Sequence, residues 1–351
     1  MLTNGKRFTP YIYYVAFAVI CAAVAGLITV FIGPGATGSG VAEIMGFLNG
    51  VNYPNVIKIR TLFVKVVGVV LAVVGSLCVG KEGPLAHIGT IIALMVIYMP
   101  LQSFRYFQND HDKRTFIAAG ASAGVSAAFG SPIGGALFTY ELSKPTTFWT
   151  FRVIWLVFFT SAISTLTLAI LTNLFEGDEV TLSSASVLKF GSTSQLESPI
   201  SDVISSIIIG VITGLLGAFF IFANTRLALM RKKYINTPTK KVVEVIFFAF
   251  ATASVFYLIP FMIPHCEDKT DAFREYYEFT CENDQYSPVA TLLFNTEGGT
   301  IRSIMNNNLK TTYPDIILFI AVWYFFFVVT YGVWVPSGLF LPGIIIGCSI
   351  G

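Results

Sequence analysis

The chain has 351 residues, of which 54% are hydrophobic and only 12% are charged, and its formal net charge is +2. Soluble domains carry about 25% charged residues, so the composition excludes an ordinary soluble protein and indicates one that lies in a lipid bilayer. A net charge so close to zero gives no electrostatic footprint for nucleic acid, and we expect no nucleic-acid partner.

Apolar runs long enough to cross a bilayer, about 20 residues each, recur along the chain. Two of them, 61–80 and 85–103, contain Lys65 and His87. The uncharged runs are 11–33, 115–140, 153–175, 203–225, 245–263 and 316–351, the last long enough for more than one segment. Open β-structure is excluded because its unpaired backbone groups are too costly in hydrocarbon. We predict an all-α polytopic membrane protein with about eight to ten helical segments.

Charged residues are concentrated in three connections. The connections 176–202 and 264–315 are net acidic, whereas the one that follows residue 225 is basic. Basic loops of membrane proteins stay in the cytoplasm, so we predict that the acidic connections face outward or into a lumen. The basic, cytoplasmic loop contains Arg226, Arg231, Lys232, Lys233, Lys240 and Lys241.

The five cysteines fall into two groups. Cys21, Cys78 and Cys348 lie in apolar runs, where a free thiol behaves as a small buried hydrophobe. Cys266 and Cys281 lie in the acidic connection 264–315, where an oxidising compartment allows a disulfide. We predict that bond, and the alternative is a pair of free thiols in that connection.

Glycine and proline interrupt the apolar runs at four places. The segments are "GPGATGSG" at 33–40, "GKEGP" at 80–84, "FGSPIGG" at 129–135 and "VPSGLFLPG" at 335–343. Each one predicts the start of a new helix. A helix N-terminus carries about half a positive charge, so four converging starts would form an anion site, and chloride suits it. The alternative is that the glycines only let helices pack closely, as Gly120 and Gly124 would.

A competing hypothesis concerns "GASAG" at 120–124, which matches the G-x-S-x-G pattern of serine hydrolases. An intramembrane serine protease would use Ser122 as its nucleophile. The hydrolase pattern requires a strand–turn–helix elbow, which an alanine- and glycine-rich apolar run does not provide. A histidine would also have to reach Ser122, and the histidines at 87, 111 and 265 lie outside the later runs.

The motifs together resemble the CLC family of chloride channels and chloride/proton exchangers. "GSG" at 38–40, "GKEGP" at 80–84 and "GLFLP" at 338–342 are similar, in order and spacing, to that family's three anion-site signatures. "FLNGV", "AAGASAGVSAAFG" and "LFNTEGG" are closest to its intracellular, lysosomal-type branch. The resemblance covers nearly the whole chain.

The resemblance implies a homodimer with a chloride pore in each subunit, formed by two inverted halves at about 1–175 and 199–351. Glu82 matches the gating glutamate, whose carboxylate competes with chloride and swings out when it is protonated. Ser39 matches the hydroxyl at the central chloride, and it favours chloride where nitrate-preferring relatives carry proline. The implied chloride-binding positions are Ser39, Gly80, Lys81, Glu82, Gly83, Leu339 and Phe340.

Channel or exchanger remains open at this point. The family's exchangers carry a second, inward-facing proton glutamate, but Leu142 occupies that position here. Glu141 precedes it and could substitute as a proton relay, or it could be a helix-end charge that faces water or Lys144. Leu142 favours a channel, whereas the branch resemblance and the Lys81–Glu82 pair favour exchange.

The resemblance also implies what the chain lacks. The family's first helices, its last membrane helices and its cytoplasmic nucleotide-sensing domains have no counterpart, so we expect residues 1–351 to be a transmembrane domain truncated at both ends. We expect no enzyme activity, metal or cofactor, and chloride with or without protons as the transported ions. The branch suggests an endolysosomal or vacuolar membrane. A non-transporting membrane scaffold is a further alternative.

Overall fold

The structure is a computed structural model that describes residues 8–51, 53, 56–100, 102–143, 149–176, 200–269, 276–282, 284–305 and 309–351. Most of them form α-helices, and one short antiparallel ladder pairs β1 (Glu267–Asp268) with β2 (Gln285–Tyr286). The helices are α1 Phe8–Leu27, α2 Val41–Leu48, α3 Ile59–Val74, α4 Glu82–Ile97, α5 Asp110–Phe129, α6 Pro132–Ser143, α7 Phe151–Glu176, α8 Ser201–Tyr234, α9 Pro238–Met262, α10 Pro288–Phe294, α11 Glu297–Met305, α12 Tyr313–Thr330 and α13 Phe340–Ile350.

The prediction of an all-α, polytopic fold is confirmed. Within the described residues, the helical segments long and apolar enough to cross a membrane are Phe8–Ile32, Phe151–Phe175, Asp202–Tyr234, Pro238–Met262 and Tyr313–Thr330. The predicted number of eight to ten helices is too low, because 13 α-helices form in the described part of the chain. The extra ones include helices of seven to nine residues, α2, α10 and α11, which are too short to be recognised as membrane spans.

A helix begins at each of the four glycine- and proline-rich segments, as predicted: α2 directly follows the first, and α4, α6 and α13 begin within the other three. The uncharged run 115–140 is therefore two helices. α5 ends before Gly130, which adopts a left-handed conformation with φ of 66°, and Pro132 opens α6. Proline is well suited to the first turn of a helix because the backbone N–H that it lacks has no partner there.

Small residues bring α4 and α5 into backbone contact. A Cβ atom on Gly120 would lie 2.4 Å from the carbonyl oxygen of Gly89, and one on Gly124 would lie 2.2 Å from that of Leu85. Backbones can approach this closely only where side chains are absent. The packing hypothesis is therefore correct for Gly120 and Gly124.

The connection 264–315 is not simply an external loop, and that prediction requires correction. Residues 288–305 form α10 and α11, whose Val289, Leu292 and Ile301 are buried in one apolar cluster with Phe319 of α12 and Ile345 of α13. The apolar stretch of α10 is too short to span a bilayer but apolar enough to be buried. The other acidic connection falls largely on 177–199, outside the described residues.

An ion pair, which we call the Arg231 anchor, ties α8 and α9 to the end of α12. Arg231 Nε donates to Glu244 Oε1 at 2.5 Å, and its two terminal nitrogens donate to the carbonyl oxygens of Tyr331 and Val329 at 2.8 and 2.5 Å. A cation is favoured at this position because the C-terminal end of a helix carries partial negative charge.

Candidate anion-binding site

Backbone hydrogen bonds join three of the four helix starts. Gly80 N–H donates to Gly338 O at 2.9 Å, and Gly338 N–H returns a bond to Gly80 O at 2.8 Å, so the starts of α4 and α13 face each other. Gly38 N–H donates to Val335 O at 3.0 Å, and Ser337 N–H donates to Gly38 O at 3.2 Å, which adds the segment before α2. Residues more than 250 positions apart in sequence thus form one pocket.

The fourth helix start does not belong to this arrangement, so the expected convergence of all four is wrong for α6. Gly130 ends α5 and Pro132 starts α6 two residues later, which leaves no extended segment that could pair with the other breaks. Ile133 in its first turn is 61% exposed. The start of α6 therefore faces the molecular surface.

Glu82 is the first residue of α4, and its side chain is only 1% exposed. Its Oε2 atom lies 2.6 Å from where a Cβ atom on Gly80 would stand. The backbone N–H groups of Lys81, Glu82 and Leu341 face the carboxylate. Within the described residues, however, neither carboxylate oxygen is in regular hydrogen-bond geometry with a donor. The carboxylate occupies an electropositive pocket without being bonded into it.

Ser39 lies on the other side of α4's first turn. A Cβ atom on Gly83 would be 2.7 Å from that of Ser39, so the two backbones are in contact. The hydroxyl of Ser39 accepts a hydrogen bond from Val41 N–H at 3.3 Å. Leu339 and Phe340 begin α13, and the Phe340 ring packs edge-on against Phe138 at 5.2 Å.

The sequence analysis missed Tyr331, which follows the last residue of α12. Its hydroxyl interacts with the side chain of Ser39. A tyrosine hydroxyl is a donor of the kind that binds an anion. Its only signal in the sequence is its position just before "GVWVPSG", which marks the end of a helix but not the direction of its side chain.

The two candidates for an inner proton relay differ in environment. Leu142 is buried, with Ile44, Leu48 and Val153, in an apolar cluster. Glu141 is exposed on α6. Lys144, the neighbour that the sequence suggests for Glu141, lies outside the described residues. An aliphatic side chain in an apolar cluster carries no proton, so the described structure offers no relay at position 142.

Ser122 is a packing residue. Its side chain is fully buried and its hydroxyl hydrogen-bonds with that of Ser161. The three histidines have other partners: His87 contacts Lys65 at 2.8 Å, His111 contacts Asp112 at 3.6 Å, and His265 contacts Asp315 at 3.0 Å. The protease hypothesis therefore has no support.

The structure pairs Cys266 with Cys281, with Cα atoms 5.8 Å apart. The paired segment lies beside the β1–β2 ladder and packs on α10, since the rings of Phe279 and Phe294 stack at 5.6 Å. The three remaining cysteines are free thiols, and two of them, Cys21 and Cys78, are buried.

These features define a class, a polytopic membrane protein whose helices begin around a buried carboxylate in an anion-type pocket. A family model described as "Voltage gated chloride channel" matches residues 21–351. The chain therefore belongs to the voltage-gated chloride channel family, CLC, and is an integral membrane protein.

Individual relatives agree with this assignment. The H(+)/Cl(−) exchange transporter 7 of Mus musculus is 37% identical over 339 residues, which are 93% of this chain and 42% of that protein. Chloride channel protein C of Dictyostelium discoideum is 30% identical and matches all of this chain and 48% of its own length. The chain thus spans less than half the length of these relatives. The crystal structure of a eukaryotic CLC transporter matches 97% of this chain and 50% of its own, with a TM-score of 0.66 and 21% identity, and it supports the fold.

Proposed function

We propose that this chain forms the anion pathway of a chloride transport protein, and that the Glu82 carboxylate and chloride compete for one pocket at the starts of α4 and α13. The observation that carries the proposal is the burial of Glu82, which is 1% exposed and lacks a regular hydrogen bond within the described residues. A buried charge without fixed partners is costly. It is tolerated where helix N-termini favour any anion, and there chloride can take its place.

The chloride-binding positions of this proposal are those around the joined helix starts. Backbone N–H groups of Lys81 and Gly83 line the Glu82 side of the pocket, and those of Leu339 and Phe340 contribute from α13. Gly80, which the sequence analysis counted among the chloride-binding positions, instead holds the two helix starts together, because its N–H donates to Gly338 O. Ser39 and Tyr331 supply hydroxyl groups. Backbone dipoles suit a transported ion, because they bind it without a fixed full charge that would hold it too tightly.

Protonation of Glu82 is the step that releases the pocket to chloride. Support for chloride/proton exchange comes from the relatives in mouse and human, both named H(+)/Cl(−) exchange transporters. Support for an uncoupled channel comes from Leu142, which is buried among apolar residues. Exchange in this protein requires an inner proton route other than Leu142, such as Glu141 or water.

The proposal includes a homodimer of subunits with two inverted halves, in an endolysosomal or vacuolar membrane. Both rest on the resemblance of the motifs to the lysosomal-type branch of the family. The acidic connections would face the lumen and the basic residues around Arg231 the cytoplasm, as the distribution of charge favours.

Flux measurements test the proposal directly. The natural polypeptide that carries this chain, reconstituted in liposomes, is expected to conduct chloride, and Glu82→Ala to remove any coupled proton movement while chloride still flows. Coupled protons in the parent establish an exchanger, and chloride flux without them establishes a channel. If neither ion moves in the parent, the scaffold alternative is favoured. If the parent moves chloride and Glu82→Ala alters only stability, the proposed role of Glu82 is refuted.

A further inference from the structure

A cavity of about 570 Å³ lies directly beside the proposed chloride pocket. Lys81 and Leu341, whose backbone N–H groups face the Glu82 carboxylate, are among its lining residues. Phe294 lines it as well and stacks on Phe279, next to the Cys266–Cys281 pair. The cavity therefore lies between Glu82 and the predicted outward face of the protein.

Three hydrogen-bond donors of this cavity have no acceptor within the described residues. They are Nδ2 of Asn295, Nε of Arg302 and the indole Nε1 of Trp323, all of them buried atoms. Buried polar atoms are nearly always paired in native structures, so three unpaired donors around one cavity indicate a missing acceptor.

The orientations of two of these donors are fixed by their neighbours. The Oδ1 atom of Asn295 accepts from Thr296 N–H at 2.8 Å, so its amide nitrogen is left for the cavity. Trp323 is only 6% exposed, and its ring stacks on Phe256 at 5.6 Å with an interplanar angle of 18°. Neither side chain can turn away to find another acceptor without breaking these contacts.

The chemistry of the lining favours an anion. All three unpaired groups are donors, and the side chains of Lys81 and Arg302 bring positive charge. Glu297 is the one carboxylate among the lining residues, and it is near enough to Glu82 and Lys81 for their charges to interact. Burial next to another carboxyl group favours the protonated, uncharged form of Glu297, so this residue adds no fixed negative charge that would repel an anion.

We propose that this cavity is an outer anion site, in which Asn295, Arg302 and Trp323 hold a chloride ion before it reaches the pocket at Glu82. The inference rests on the proposed function, because it assigns the cavity to the same permeation route. Transported ions need such intermediate sites, which bind them well enough to enter and weakly enough to leave.

Substitutions at the donors test the site by the chloride concentration that gives half-maximal flux from the cavity side. Trp323→Phe removes the N–H group but keeps a ring to stack on Phe256, and it is expected to raise that concentration about fivefold. Arg302→Gln is expected to raise it about tenfold. Trp155→Phe, at a 57% exposed position on α7, is the matched control and should leave it unchanged.

The variant Arg302→Lys is a control for a simple folding defect at this position. It keeps the charge but not the geometry of Nε, so its half-saturating concentration is expected to lie between those of the parent and Arg302→Gln. Maximal flux at saturating chloride should be similar in the Trp323 and Arg302 variants, because these substitutions leave Glu82, Ser39 and the backbone of the inner pocket in place.

Equilibrium binding of bromide to the purified protein tests the site independently of transport. Weaker binding in Trp323→Phe and Arg302→Gln supports the outer site even if the parent moves no ion, in which case only the proposed function fails. If the parent transports chloride while both variants keep the parent's half-saturating concentration and bromide affinity, the outer site is refuted and the proposed function stands.

Discussion

Two regions of this protein bury charge next to helix ends, and they do so in opposite ways. At the Arg231 anchor, a guanidinium that is 11% exposed meets the Glu244 carboxylate and two carbonyl oxygens at the end of α12. At the start of α4, Glu82 is more deeply buried and has no regular hydrogen bond within the described residues. The first charge is fixed by its partners, and the second is the one that we propose to exchange with chloride.

On the proposed function, the difference separates a structural charge from a functional one. Both regions use the partial charge of a helix end, negative at α12 and positive at α4 and α13. Only a group without directed bonds can leave its place without breaking part of the fold. Burial alone therefore does not separate the two carboxylates. Glu244 keeps a cation at Oε1, whereas both oxygens of Glu82 lack a regular hydrogen bond within the described residues.

The largest expected effect on stability comes from breaking the fixed pair. Arg231→Met leaves Glu244 buried without its cation and is expected to lower the free energy of unfolding by about 3–5 kcal/mol. The double variant Arg231→Met/Glu244→Leu removes both charges and should recover most of that loss. Chemical unfolding in detergent measures both. Equal losses in the single and double variants would show that the ion pair itself is not what stabilises this region.

A somewhat smaller loss is expected at the predicted outward face. Cys266→Ser opens a covalent loop whose cysteines are 15 residues apart, and loop-closure entropy predicts a loss of about 3 kcal/mol. The chloride affinity of the pocket should be unchanged, because the bond lies outside it. The free energy of unfolding and the chloride affinity should be measured on the same sample of this variant. A change in affinity as large as the change in stability would contradict the separation of the two regions.

Gly40, next to Ser39, is expected to have an intermediate effect. Its φ is 81°, and a Cβ atom there would lie 2.2 Å from His87 Nδ1, the atom that contacts Lys65. Gly40→Ala is therefore expected to cost about 1–3 kcal/mol and to weaken chloride binding by displacing the Ser39 turn. Gly210→Ala, in α8 with open space around it, is the control and should be neutral or slightly stabilising. Equal free energies of unfolding for Gly40→Ala and Gly210→Ala would show that the conformation and close packing of Gly40 are not important for stability.

The smallest effect is expected for an exposed pair. Lys269 Nζ lies 2.6 Å from Glu278 Oε1, and this hydrogen bond lowers the pKa of the Glu278 carboxyl below its usual value. A lowered folded-state pKa stabilises the fold above the unfolded-state pKa, and that contribution is lost as the pH falls through the folded-state value. Glu278→Gln should therefore be slightly less stable than the parent at neutral pH, and the difference should vanish in acid. If the difference in stability between the parent and Glu278→Gln grows in acid, the direction assigned to this pKa shift is wrong.

The sequence predicts the fold class because apolar runs and glycine–proline breaks are local signals. The starts of α4 at Glu82 and of α13 at Phe340 follow from their motifs. α10 and α11 could not be predicted in this way, since a seven-residue apolar stretch such as 288–294 is compatible with a loop, a strand or a helix. Its burial is decided by the facing residues of α12 and α13.

Only those residues of the candidate site that belong to recognisable motifs could be predicted from the sequence. Glu82 and Ser39 belong to such motifs, and the resemblance assigns their roles. Tyr331 and the cavity donors Asn295, Arg302 and Trp323 have no motif, because each is an ordinary residue until the fold brings it to the pocket. The same reason explains Ser122, whose pattern suggests a nucleophile but whose partner in the fold is Ser161.

The central claim is that the Glu82 carboxylate and chloride compete for one pocket, and equilibrium chloride binding at two pH values measures this most directly. In the parent, chloride should bind more tightly in acid, where protonated Glu82 leaves the pocket. In Glu82→Gln, affinity should be higher at neutral pH and nearly independent of pH. Equal affinities in parent and variant, with the same pH dependence, would contradict the claim and remove Glu82 from the anion site.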